Sequence, residues 1–113
     1  MKMDNIQRQM KKGVLEMCIL AIISRGEVYT SEIIEKLKEA ELIIVEGTLY
    51  PMLSRLKSAG YLEYNWRESK YGPPRKYYQL TAAGSEFLNN LEGSWGKLVN
   101  SVENIVEKNS NHE

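Results

Sequence analysis

The chain has 113 residues, 42% of them hydrophobic and 27% charged, which is room for one globular domain with a small core rather than two. The longest apolar run, Met17 to Ile23, is far short of the roughly 18 residues that span a bilayer, so no membrane partner is expected. The start, Met1-Lys2-Met3-Asp4, has no signal-peptide layout, and the lone Cys18 has no disulfide partner in the chain, so a cytoplasmic protein is expected.

Fifteen basic and fifteen acidic side chains cancel, but they are sorted into blocks. Residues 1–26 are net +3, 27–46 net −4, 47–84 net +4 and 85–113 net −3. A polyanion responds to the local face and not to the sum, so the basic middle block keeps nucleic acid among the candidate partners.

In chain order, Ile6, Met10, Val14, Met17 and Ala21 recur at helical spacing and predict a first helix from about Asn5 to Ser24, closed by Gly26. A second helix is predicted from Thr30 as N-cap, with Glu32 in its first turn and Ile33, Ile34, Leu37 and Ala40 as its apolar stripe. Leu42-Ile43-Ile44-Val45 reads as a brief strand. A third helix is predicted from about Gly47 to Ala59, with Leu49, Leu53 and Leu56 inward, Gly60 as C-cap, and Pro51 in or just after the first turn.

Leu62, Tyr64 and Trp66 then alternate with Glu63, Asn65 and Arg67, and Arg75 to Leu80 reads as a returning strand. The result is a β-hairpin with a long tip over residues 68–74, where Pro73 and Pro74 lie outside the paired region. Tyr64, Trp66, Tyr77 and Tyr78 are expected to pack the hairpin on the core. Thr81 caps a final helix to about Lys108. In it Phe87, Leu91, Trp95, Leu98, Val102 and Ile105 are spaced as a heptad seam. Such a helix is roughly 40 Å long, against a radius of gyration of roughly 13 Å for a compact domain of this size. The seam therefore predicts a homodimer interface. The expected organisation is a domain over residues 1–80, a dimerisation helix over 81–108 and a disordered tail over 109–113.

This order of elements is mainly α with a small β-hairpin: a winged helix-turn-helix followed by a long C-terminal dimerisation helix. Thr48, Tyr50, Ser54, Arg55 and Lys57 are left outward on the third helix, and hydroxyls and cations suit phosphate and base-edge contacts. Lys70, Arg75 and Lys76, with Arg67, make the wing cationic and suited to a DNA backbone or minor groove. The alternative is a winged-helix module that binds only proteins. An enzyme is not expected: no nucleophile has a base and an orienting partner, no glycine-rich phosphate loop occurs, and no Cys/His set could hold a metal. No cofactor is implied.

Glu46-Gly47-Thr48-Leu49-Tyr50-Pro51, with Leu53, Arg55-Leu56 and Gly60-Tyr61-Leu62, resembles the third helix of PadR-family regulators. Gly72-Pro73-Pro74-Arg75-Lys76-Tyr77-Tyr78 resembles their wing, and Leu80-Thr81-Ala82-Ala83-Gly84 the entry to their last helix. The resemblance covers about residues 10 to 105 and is closest to the short branch with one dimerisation helix. It implies a homodimeric repressor that binds double-stranded DNA at an inverted-repeat operator, with an effector-sensitive affinity. Ser94-Trp95 is similar to the multidrug-binding members, in which tryptophans from both subunits line a flat pocket for planar drugs. That likeness implies ligand contacts for Met10, Gly13, Met17, Trp95 and Val99, with Ala21, Leu91 and Leu98 beside them. The multidrug members have a carboxylate where this chain has Val99.

Overall fold

The computed structural model describes residues 2–110. Its chain begins with α1 (Met3–Lys12) and α2 (Leu15–Ile23), two helices where the periodicity predicted one. The break is at Gly13 and Val14. Val14 has φ −119°, and its N–H donates to the Lys11 carbonyl at 3.0 Å, three residues back instead of four. Glycine is a poor helix former, so the continuous ladder yields there. α1 buries no side chain, while α2 buries Leu15, Ile19, Leu20 and Ile23. Gly26 has φ 143° and turns the chain after α2.

β1 (Val28–Tyr29) leads into α3 (Thr30–Glu39). The N-cap is Tyr29 and not Thr30; the Glu32 carboxylate accepts the Tyr29 N–H at 3.1 Å. Ile33 and Leu37 are buried, but Ala40 is exposed. α3 ends in a Schellman motif: Leu42 N–H donates to Leu37 C=O at 2.8 Å and Glu41 N–H to Lys38 C=O at 2.9 Å. The left-handed residue is Glu41, φ 63°, where a glycine is usual.

Residues 42–45 form no strand. Leu42 and Ile44 rest on the core while Ile43 and Val45 are exposed, so the alternation is met by laying one side of an extended segment on the core. The third strand is β1 instead.

α4 (Glu46–Ser58) buries Leu49, Met52, Leu53 and Leu56. Pro51 stands just after the first turn, as expected, but already where another residue would donate to the Gly47 carbonyl. Gly60, φ 88°, closes a second Schellman motif, with Tyr61 N–H on Leu56 C=O at 3.0 Å.

β2 (Leu62–Ser69) and β3 (Gly72–Leu80) form the hairpin, and the antiparallel sheet has the order β1-β3-β2. The turn is only Lys70-Tyr71, tighter than predicted, because Ser69 already pairs with Gly72. The register slips between Arg67 and Ser69, leaving Glu68, Pro73 and Pro74 outside the paired positions. The prolines thus continue the strand's path without joining its ladder, having no N–H to give it.

α5 (Ala82–Ser110) is capped as predicted, Thr81 Oγ1 accepting the Gly84 N–H at 2.9 Å. Asn109 and Ser110 continue the helix, so the expected tail there is not a tail; residues 111–113, with His112, lie outside the described residues. The first turns of α5 pack on the core through Leu88, Leu91 and Phe87, whose ring stacks on Tyr61 with centroids 4.1 Å apart. From Trp95 onward the helix leaves the domain. The radius of gyration, 16.9 Å, exceeds the roughly 13 Å of a compact chain of this length for that reason.

Candidate nucleic-acid interface and apolar groove

A helix turns about 100° per residue, which sorts the exposed side chains of α4 into a crest and two flanks. Gly47, Pro51, Ser54 and Ser58 lie along the crest, opposite the buried Leu49, Met52, Leu53 and Leu56. Tyr50 and Lys57 lie on the flank toward the wing, where Lys57 Nζ sits 5.3 Å from the centre of the Tyr64 ring. Thr48 and Arg55 lie on the flank toward α2. There Arg55 Nε donates to Glu16 at 3.1 Å, and Nη2 of the same guanidinium also bonds that carboxylate. Arg55 is thus exposed but tied back to α2, which outward counting did not foresee.

The wing has two faces. Leu62, Tyr64 and Trp66 of β2 share one with Leu80, Tyr78 and Lys76 of β3, their register partners. Leu62 and Tyr78 are buried, so this face starts in the core beside α4 and runs out toward the tip. Burial, with the neighbouring Tyr64 and Tyr50 phenols adding to it, pushes the Tyr78 hydroxyl above its ordinary value. Lys76 Nζ stands 4.5 Å from the Tyr64 ring and 5.4 Å from the Trp66 ring.

The opposite face holds Arg67, Arg75 and Tyr77. Arg75 lies 4.3 Å over Tyr29, and Arg67 lies over Tyr77 and pairs with Glu27. Arg75 and Lys76, adjacent in sequence, therefore point to opposite sides. Lys70 is at the turn, over Tyr71. Of the eight residues expected to touch DNA, the fold gathers Tyr50, Ser54, Lys57 and Lys76 on one continuous side. Thr48 and Arg55 lie at its α2 edge, and Lys70 and Arg75 lie on the tip and the far side. Trp66, expected to pack on the core, is 61% exposed. The hairpin has passed beyond the core at that position, which alternation alone does not reveal.

A second feature lies between α1–α2 and α5. A groove of about 720 Å³ is lined by Met10, Gly13, Val14 and Met17 on one wall and Leu91, Trp95, Leu98 and Val99 on the other. All five residues expected to meet a ligand line it; Ala21 does not and packs against the core. Two charged residues were not foreseen, Lys11 and Glu103. Glu103 is two turns beyond Trp95, so the groove has a carboxylate although position 99 is valine. Trp95, Leu98, Val102 and Ile105 of the seam are exposed, Ile105 by 71%, whereas Phe87 and Leu91 are largely spent inside the protomer. Cys18, half-buried on α2, has its thiol pushed up by that burial and is set for packing more than for reactivity.

A helix-turn-helix with a basic-edged second helix, a cationic wing and a projecting C-terminal helix defines a winged-helix DNA-binding regulator. A family model for the transcriptional regulator PadR-like family matches residues 19–90, and the chain belongs to that family. Among solved structures, a PadR-like transcription factor from Bacteroides fragilis is 54% identical, with 89% of this chain and 98% of that one covered and a TM-score of 0.75. A PadR-like regulator from Bacillus cereus is 42% identical, covering 87% and 96%, with a TM-score of 0.78. One from Eggerthella lenta is 30% identical, covering 92% and 91%, with a TM-score of 0.84. The family and these neighbours are regulators of transcription, not enzymes, and membership implies regulation through DNA binding. Among the described residues no helix is long and apolar enough to cross a membrane.

Proposed function

We propose that the protein is a homodimeric, sequence-specific repressor whose grip on an inverted-repeat operator responds to a planar hydrophobic effector bound at the dimer interface. The observation that supports this is a shared surface: Trp95, Leu98 and Val102 wall the 720 Å³ groove and also belong to the exposed seam of α5. A second copy paired along that seam would cover the apolar groove and bring two Trp95 rings to one site. Thr48, Tyr50, Ser54, Arg55 and Lys57 would meet the major groove, and Lys70, Arg75 and Lys76 the adjoining backbone. Lys11 and Glu103 at the groove give its ligand one partner of each charge.

Footprinting over the DNA upstream of the protein's own gene tests the first half. Protection of two half-sites about 10 base pairs, or a multiple, apart is expected. No preferred sequence at moderate salt would sink it, and no protection at any salt would favour a module that binds only proteins. Titration with planar aromatic cations while following tryptophan fluorescence tests the second half. Unchanged affinity in Trp95→Ala would reject stacking on that ring.

A further inference from the structure

We propose that Trp66 is a DNA-contact residue that works with Lys76 to hold the sugar–phosphate backbone beside α4. This rests on DNA being the partner of the side shared by α4 and the wing. Three observations carry it. The first is placement: Trp66 and Lys76 are direct cross-strand partners on the wing face that continues from α4. Lys57, Tyr64, Lys76 and Trp66 make an unbroken row, with each ammonium on an aromatic ring.

The second is charge. Among the described residues Arg55 and Arg67 are paired with Glu16 and Glu27, whereas neither Lys57 nor Lys76 has a carboxylate partner. Glu63 points to the other face, where Gln79 donates to it at 2.8 Å. The ring contacts hold these two ammoniums in place without neutralising them, so the field they present is positive and fixed. Such a surface is complementary to a phosphate and not to another cationic face.

The third is the indole. Trp66 is exposed by 61%, whereas on the same face of its strand Leu62 is buried and Tyr64 half-buried. Its ring offers an apolar face and a single N–H that can only donate. A DNA backbone offers apolar deoxyribose and oxygens that only accept. Two side-chain torsions make the ordering cost of an exposed indole small. The contact is with backbone and thus carries no sequence preference of its own.

The experiment uses the full chain labelled with 5-fluorotryptophan and a random-sequence duplex of about two helical turns at low salt. The two fluorine resonances are assigned by the loss of one in Trp66→Phe. Saturating duplex is expected to shift the Trp66 resonance. Trp66→Ala should weaken binding to every duplex by about tenfold, the weight of one hydrogen bond to a charged acceptor, with the salt slope unchanged. Lys76→Met should lower the slope of log affinity against log salt by about 1. A duplex that binds while the Trp66 resonance stays still, or a Trp66→Ala variant that binds like wild type, overturns the pair alone. Absence of any binding at low salt overturns the DNA assignment of this side, and the pair with it.

Discussion

Gly84 shows how one missing side chain fixes the join between wing domain and helix. A Cβ built there would lie 2.0 Å from the carbonyl oxygen of Tyr61, and that oxygen already accepts the Thr81 N–H at 3.1 Å. The obstacle is backbone and cannot swing aside. Gly84→Ala should therefore cost about 3 kcal/mol, the upper range for overpacking, and lower the melting temperature by more than 10 °C at fixed protein concentration. Gly93 and Gly96 are the opposite case, since a Cβ at either meets nothing within the protomer. Calorimetry on the three alanine variants should separate them by sign, the latter two gaining up to about 1 kcal/mol of helix propensity each. The Leu80-Thr81-x-x-Gly84 spelling was visible in the sequence, but its reason was not, because the clash involves a residue 23 positions earlier. Tyr78 makes a separate prediction. Its raised pKa means that the folded state holds the phenolic proton more tightly than the unfolded chain does. That contribution to stability is complete below the ordinary phenol value near 10 and is lost as pH rises above it. Urea midpoints should fall as the pH rises above about 10 in the wild type, and less steeply in Tyr78→Phe.

The helices and the hairpin were legible because their apolar spacing is regular, and the same regularity explains where the reading failed. Periodicity runs unbroken through Gly13, so it could not show that α1 and α2 part there. Leu42 to Val45 alternates as a strand does, yet a strand also needs a free ladder, and the edge of β3 is taken by Val28 and Tyr29. Glu41 in a left-handed conformation ends α3 without the glycine that would have announced it. In the candidate site, outward positions on α4 were read correctly as outward, but contacts between distant residues were invisible. The Glu16–Arg55 pair is the main instance. It is well exposed on the arginine side, so its loss should change stability by less than about 1 kcal/mol. Its effect on DNA should be larger and of opposite sign in the two partners. Glu16→Gln frees a guanidinium at the α2 edge of α4 and should tighten duplex binding, while Arg55→Ala should weaken it and flatten the salt slope by about 1. Fluorescence anisotropy over a salt series checks both, and a Glu16→Gln variant with weaker binding would mean that Arg55 serves only to brace α4 against α2.

The two ends of the chain are related through α5. Its first turns belong to the domain by way of Leu88 and the Tyr61–Phe87 stack, and its later turns expose Leu98, Val102, Ile105 and Val106 to solvent in the single protomer. The projection was foreseeable from sequence, since a helix from Thr81 to about Lys108, roughly 40 Å, is longer than any face of a domain this size; the observed α5 runs 29 residues. What spacing could not tell was where ownership changes: Phe87 lies on the predicted seam but is stacked on Tyr61. A two-fold interface counts every substitution twice. Burying a leucine is worth about 1.5–3 kcal/mol, so Leu98→Glu should weaken self-association by roughly 3–6 kcal/mol, or two to four orders of magnitude. The winged domain should survive the change, because residue 98 lies beyond the turns that anchor α5. Sedimentation at micromolar concentration should find a dimer for the wild type and a monomer for Leu98→Glu, with far-ultraviolet dichroism showing the helices retained. Phe87→Ala should do the reverse, lowering the melting temperature of the domain while leaving the seam from Trp95 onward intact. The variant monomer should still bind a random duplex at low salt through α4 and the wing, but it should lose the advantage of an inverted repeat over a single half-site. An unchanged sedimentation coefficient for Leu98→Glu, or a monomeric wild type, would mean that the exposed seam serves some contact other than a second copy of this chain.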